Sequence, residues 1–427
     1  MNSREVSLHQ DILLEIDTIT RRERRNLLKQ LLRHFGPQHI QLLEDVTQDA
    51  LLSAMSVWPY QGLPENPVAW LSRVARNRAI DRLRRESREL DYDLGTDQRL
   101  TLDVPVFPEQ GDMEDPELST IFLCCNPMLQ QLDQLAITLR IVGGFTAKEI
   151  ASVCIFNEAA LAKRLSRARQ SIKRTSASFL ATPSASEIKL RLAPALKVVY
   201  LMFSLGYAPA QGEQLVRRDV AFEALRLSEE LTRHPLTETP QTHALTALLY
   251  FQASRFEARE NANGKPVLFR DQDRSRWDRS LISRALHHMR CAASGEELSR
   301  YHLEAGIASI YATASSWSDI DWESVLNQYR LLQDLIDSPI VTINACVALA
   351  LSGKPECALK KMPSISDEPR LQNYAPFHIA MAEIFRLLDR QEDAQTSYSA
   401  AMTSRVSAPV LQHLEQRRAS VTSSPED

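Results

Sequence analysis

Leu161, Leu165, Ala168 and Ile172 follow one another at three- and four-residue intervals, which puts them on one face of a helix. The rest of that helix carries Lys163, Arg164, Arg167, Arg169, Lys173 and Arg174, with no acid among them. A merely solvated face usually mixes signs for i,i+4 pairing, so a one-signed arc stands apart. A shorter amphipathic segment precedes it, with Ile150 and Val153 on its apolar side. Thr146 and Glu149 have the spacing of a capping box for that first helix. Asn157 is a suitable cap for the second, and Phe156 and Leu161 are placed as a hydrophobic staple. Residues 143–174 therefore read as two helices joined by a tight turn at Cys154, Ile155 and Phe156.

Similar periodicity runs through the rest of the chain. Residues 8–34 predict a helix with Leu8, Ile12, Ile16 and Ile19 on one side and an arginine-rich run at 21–25. Residues 40–57 predict a second, with Leu43, Val46, Ala50 and Met55 inward and Glu44, Asp45, Gln48 and Asp49 as an acidic patch. Taken alone, such acids are ordinary solvated groups near a helix start. Residues 58–67 hold Trp58, Tyr60 and three prolines and read as a loop. Asn66 is placed to cap the next helix and Pro67 to take its first position. That helix, 68–88, turns Leu71, Val74, Ala75, Ala79 and Leu83 inward and crowds Arg73, Arg76, Arg78, Arg82, Arg84, Arg85 and Arg88 outside. Residues 89–117 read as an acidic, mostly irregular linker, and 176–186 as a second boundary rich in Ser, Thr, Ala and Pro.

Helical patterns resume at 190–212, 219–233 and 242–259. They continue as the pairs 321–335 with 341–351, and 375–388 with 391–402. The fold class is all-α, with domains expected at 1–88, 118–175 and 187–418.

Composition narrows the picture. The 427 residues carry a net charge of −4, which hides an asymmetry, with arginine-rich segments in the first 175 positions and a remainder closer to neutral or acidic. Local clustering, not overall charge, is what nucleic-acid binding requires. The six cysteines show no CxxC or Cys/His ligand spacing, so reduced thiols and no metal are expected. No signal-peptide pattern or membrane-length apolar run is present, which points to the cytoplasm.

Two helices joined by a tight turn, the second cationic, form the layout of a helix-turn-helix, whose second helix fits the DNA major groove. An aromatic loop beside an arginine-rich helix suits single-stranded nucleic acid, with bases stacked on rings and cations on the backbone. The stretch DQDRSRWD at 271–278 gathers Asp271, Asp273, Arg274, Arg276, Trp277 and Asp278. Two readings compete for it: a regulatory ligand or partner site, and a charged helix start with Ser275 and Asp278 as a capping box. No nucleophile, metal triad or phosphate loop accompanies it, so no enzymatic activity and no cofactor are expected. His287 and His288 point to different sides of their helix, and solvent exposure is expected for them.

The combination and order of these segments resemble an RNA polymerase sigma factor of the extracytoplasmic-function type. EDVTQDAL at 44–51 resembles the part of conserved region two that docks on the β′ clamp helices. The resemblance thus implies Glu44, Asp45, Gln48 and Asp49 as contacts to core polymerase. AWLSRVARNRAIDRLRR at 69–85 resembles the segment that opens and reads the −10 element. The loop at 58–67 falls where that family captures a flipped base, so the two segments together imply −10 contacts at Trp58, Tyr60, Trp70, Arg73, Asn77 and Arg78. Residues 149–174 resemble region four, implying −35 contacts at Asn157, Lys163, Arg164, Arg167 and Arg169. Ala162 stands where many members have Lys, so a base-by-base map does not carry over.

Residues 187–418 resemble the tetratricopeptide-like extension of one subgroup, a surface for a protein or peptide partner. The implied partners are core RNA polymerase, through the β′ clamp helices and β flap, and promoter DNA, with no membrane. The alternative is a one-component helix-turn-helix regulator with a helical sensor domain.

Overall fold

A computed structural model describes residues 39–422, apart from 95–114, 155–156, 175–182, 210–211, 213, 263, 363–367, 369–370 and 405. It also describes scattered positions from 19 to 36, and gives the backbone alone at 86–94, 173 and 421–422. No strand occurs among the described residues, so the all-α expectation holds. The chain forms two units, residues 1–147 with 159–194, and residues 148–158 with 195–427.

In the first unit, helix α1 spans Ile40–Gln61 and helix α2 spans Pro67–Leu94. The two pack on each other. Asn66 accepts from the Ala69 amide at 3.0 Å, the expected cap, with Pro67 in first place. The buried stripe of α1 is Leu43, Val46, Ala50, Ala54 and Trp58. Met55, expected inward, is 50% exposed, because the stripe steps from 50 to 54 and leaves 55 turned away. The expected loop at 58–67 is also shorter. Helix α1 continues through Pro59 for a last turn and closes when the Gly62 amide reaches the Trp58 carbonyl at 2.9 Å. Gly62 has φ +81°, a left-handed value that favours glycine. A proline this close to a helix end removes one hydrogen bond without breaking the helix.

Helix α2 runs past the expected boundary at 88, to Leu94; residues 95–114 of the expected linker lie outside the described part. Most of the expected helix at 8–34 does too, although its described positions are helical.

Helix α3 is Pro116–Cys124 and helix α4 is Gln131–Ile141. Asp115 caps α3, accepting from the amides of Glu117 and Leu118 at 2.8 and 3.0 Å. Cys124 and Cys125 are fully buried at its end, and burial pushes the Cys125 thiol up to about 12. Helix α5 is Ala147–Cys154 and helix α6 is Glu158–Arg174. Leu161, Leu165, Ala168 and Ile172 of α6 are all buried, as their spacing requires. Helix α7 is Ala185–Tyr207, and its residues up to Pro194 belong to the first unit. Within that unit Arg191 is buried, donating to the Phe122 carbonyl at 3.1 Å and pairing with Glu187 at 2.7 Å.

The second unit takes residues 148–158, so the expected domain at 118–175 is divided. Within that unit Glu149 of α5 pairs with Arg217 of the extension. Helices follow as α8 Arg218–Arg233, α9 Pro240–Ala253, α10 Arg279–Ala292, α11 Arg300–Thr313 and α12 Trp322–Leu335. Then come α13 Pro339–Leu351, α14 Pro355–Lys361, α15 Ala375–Leu387, α16 Gln391–Thr403 and α17 Ala408–Thr422. Most of these helices pack chiefly on their sequence neighbours. At Gly206 a Cβ would sit 2.6 Å from the Ala221 amide nitrogen, so glycine permits the close approach of α7 and α8 here. At the far end Glu383 accepts from Tyr398 at 2.5 Å and from Arg417 through both oxygens at 2.8 Å, which ties α17 to the preceding hairpin.

Candidate nucleic-acid interface and the acidic face beside it

The outward stripe of α1 is Gln41, Asp45, Gln48, Leu52 and Met55, all exposed at alternating four- and three-residue steps. It is polar at its start and apolar at its end, with Leu52 52% and Met55 50% exposed. The apolar half was missed in the sequence, although its heptad-like spacing was there to be read. Arg82 of α2 organises the acids from beneath, at 2.5 Å from Asp49 and 3.8 Å from Asp45. Glu44 lies off this stripe, half-buried, with Arg140 at 2.6 Å and Arg169 at 3.8 Å.

On the aromatic side, Trp58 is a core residue and does not offer a ring to a base in this conformation. It meets the half-buried Trp70 edge to face at 5.3 Å. The open ring is Tyr60, 87% exposed. Arg73 and Asn77 are exposed, while Arg78 donates to the Ser53 hydroxyl at 2.7 Å. The apolar spacing of α1 accounts for the burial of Trp58, because position 58 continues the step from 50 and 54.

Helix α6 divides its cations. Lys163, Arg167 and Arg174 are exposed along one face, and Asn157 is exposed just before the helix. Arg164 is held by Asp133 of α4 at 3.1 Å, and Arg169 reaches Glu44. Of the five expected −35 residues, Asn157, Lys163 and Arg167 are exposed, while Arg164 and Arg169 are half-buried beside Asp133 and Glu44. Asp133, Arg140 and Arg217 were not legible as partners, because nothing local in sequence connects them to Arg164, Glu44 or Glu149.

The 271–278 motif resolves into capping and clamping. Asp278 caps α10, accepting from the Ser280 and Leu281 amides at 2.8 and 3.1 Å. Ser275 is therefore not the cap; its hydroxyl and amide donate to Asp273, whose carboxyl they hold below its usual range. Arg274 donates to the carbonyls of Tyr311 and Ala314 at 2.7 and 2.9 Å, satisfying the end of α11. Arg276 donates to the Glu260 carbonyl at 3.0 Å, and Asp271 stays exposed beside Arg270. Trp277 is buried, with Arg274 4.6 Å and Arg255 5.5 Å from its ring centre and Phe269 stacked at 6.1 Å.

His288, expected in solvent, is also buried. Its Nδ1 lies 2.9 Å from that of His243, and its ring stacks on Tyr250 at 5.8 Å. Burial and the neighbouring His243 push its pKa down to about 4. Lys197 is half-buried 5.1 Å from the centre of the Tyr200 ring, and burial together with Arg300 lowers it to about 8. No group of acids, histidines and cysteines fit to hold a metal occurs among the described residues. No helix among them is long and apolar enough to cross a membrane.

Comparison with known proteins adds to this geometry. Residues 21–89 match sigma-70 region 2, which covers α1 and most of α2. Residues 191–293 match a family of unknown function, DUF6596. An uncharacterized protein of Rhizobium meliloti (strain 1021) is 35% identical over 379 residues, 87% of this chain and 88% of that protein. No solved structure matches. The chain thus belongs to the same family as that Rhizobium protein, and its residues 21–89 are a sigma-70 region 2, which supports a role in transcription initiation.

Proposed function

We propose that the protein is a sigma factor of the extracytoplasmic-function type, which binds core RNA polymerase and directs it to a class of promoters. The α1 stripe, polar and then apolar, is the docking face for the β′ clamp helices. Helix α2, with Arg73 and Asn77, and the exposed ring of Tyr60 take the opened −10 strand, where rings stack bases and cations hold phosphates. Helices α5 and α6 form a helix-turn-helix, and α6 enters the major groove at the −35 element. RNA synthesis itself is left to the polymerase. The extension is a tetratricopeptide-like stack of helical pairs, suited to a protein or peptide partner. It modulates activity through α5, which Arg217 holds by Glu149.

The observation that carries this reading is the open cationic face of α6, in a chain whose residues 21–89 match sigma-70 region 2. The test is run-off transcription with reconstituted core polymerase on genomic promoter fragments. Transcripts with defined starts are expected, absent without the protein. Lys163→Ala and Arg167→Ala should each weaken promoter discrimination by about 1–3 kcal/mol if they read bases. Those that touch only phosphate should instead flatten the salt dependence. Promoter binding that needs no polymerase, with no transcripts, would favour the one-component regulator.

A further inference from the structure

Arg255 and Arg259 lie just past helix α9, on either side of a short helical turn at Phe256–Ala258. The backbone there is tied at both ends. The Asp278 amide donates to the Ser254 carbonyl at 2.8 Å, and the Val267 amide to the Arg259 carbonyl at 2.8 Å. Both arginines are half-buried, and each is held by aromatic faces and one polar group. The Arg255 guanidinium lies 4.3 Å from the centre of the Phe269 ring and 5.5 Å from that of Trp277, and its Nε donates to Gln272 at 3.3 Å. The Arg259 guanidinium lies 3.8 Å from the centre of the Tyr207 ring and donates through Nη1 to the Tyr207 carbonyl. Gln272 and Trp277 of the 271–278 motif are thus the scaffold that aims Arg255.

What the pair lacks is a counter-charge. Elsewhere in the second unit arginines meet acids, as Arg300 meets Glu304 at 2.5 Å and Arg417 meets Glu383 at 2.8 Å. Neither Arg255 nor Arg259 has a carboxylate in ion-pair range among the described residues, and Glu260 acts on Arg259 only from beyond it. The two charges act instead on each other and on the Tyr207 phenol. Burial pushes that phenol up, yet Arg255 and Arg259 together outweigh burial and hold it below its usual range. The carbonyl ends of α7 and α9 offset about half a charge each, which leaves the pair undercompensated. Acceptors are short as well. Arg274 Nη2 and Trp277 Nε1 are buried with none, and the Arg274 guanidinium lies 4.6 Å from the centre of the Trp277 ring. A guanidinium carries several N–H donors, and Arg255 and Arg259 each spend only one nitrogen on their own chain.

We propose that Arg255 and Arg259 form a binding site for a phosphoryl group, free or carried by a small molecule or a peptide. A carboxylate offers two oxygens and one charge. A phosphoryl group offers three oxygens and up to two charges, enough to engage both guanidinium forks beside the Tyr207 phenol. The site lies outside the sigma-factor reading and does not depend on it.

The test is calorimetric titration of the full chain at about pH 8, above the second ionisation of phosphate, and at fixed ionic strength. The probes are inorganic phosphate, acetate, and a phosphoserine peptide beside its unmodified counterpart. Phosphate should bind saturably, and about tenfold or more tighter than acetate. Arg255→Gln and Arg259→Gln should each weaken it by about tenfold or more, the worth of one charged hydrogen bond. Arg290→Gln, which removes an exposed cation of α10, should leave binding unchanged. Because Arg255 also stacks on Trp277, Arg255→Lys serves as the second variant there. It keeps the charge but loses the fork, and should weaken binding by about three- to tenfold. Melting temperatures without ligand identify the variants that are folded.

The two sources of the phosphoryl group separate in the same titrations. A phosphoserine peptide that binds tighter than phosphate, while its unmodified counterpart does not bind, assigns the site to a modified protein. Phosphate that binds as well as that peptide assigns it to a small phosphate. No saturable phosphate binding, acetate that binds equally well, or folded Arg255→Lys and Arg259→Gln proteins that bind like wild type would overturn the site.

Discussion

Helix α6 and the 271–278 motif are both rich in arginine, and the contrast between them lies in where the donors go. On α6, Lys163 and Arg167 face solvent, with no carbonyl or carboxylate among the described residues holding them. In the motif, Arg274 and Arg276 each end on backbone carbonyls and Trp277 is buried. The second unit repeats this inward habit, with His243 on His288 and Glu383 under Tyr398 and Arg417. Charge content therefore does not identify a binding face. A cation already satisfied by its own chain is part of the scaffold, and one left open is available to phosphate.

The strongest way to break this contrast is Trp277→Ala. If the motif is scaffold, losing a buried indole and its two guanidinium neighbours should cost about 3–5 kcal/mol of stability, read by thermal or denaturant unfolding. A variant that melts like wild type while losing a partner or ligand would make the motif a binding site instead.

A smaller effect comes from pH. His288 is faced by His243 of α9, His287 and Arg284 of α10, and Glu229 of α8, and it titrates well below the ordinary histidine value of 6.5. Its folded pKa is depressed, so the unfolded chain binds the extra proton first, and stability falls as pH drops from about 6.5 toward 4. The loss should be about 2–3 kcal/mol, and His288→Phe should remove most of that slope. Unfolding free energies measured from pH 7 to pH 4 check this; an identical slope in the variant would place the acid sensitivity elsewhere.

Much of the fold was legible, because it depends on spacing. The buried stripe of α6, the Asn66 cap with Pro67, and the helical pairs of the extension all follow from local pattern. The misses share one cause. Periodicity shows that a face exists but fixes its direction only to within about one residue, and so Met55 was assigned inward where Ala54 is buried. Trp58 has the composition of a base platform and the position of a core residue, and position decided. His288 and Glu149 are set by His243 and Arg217, partners distant in sequence that no local pattern names. Of the candidate site, the exposed half of α6 was readable, whereas the pairing of Glu44 with Arg140 and Arg169 was not.

The central claim is that the α1 stripe docks this chain on core RNA polymerase, and one measurement meets it directly. Asp45 is 61% exposed on the stripe and, among the described residues, is held only by the long contact to Arg82, so reversing its charge should leave the fold intact. Purified wild-type protein should comigrate with core polymerase on a sizing column, and Asp45→Arg should lose that comigration while melting at the same temperature. Comigration that is equally strong in the variant, or absent in the wild type, would contradict the account.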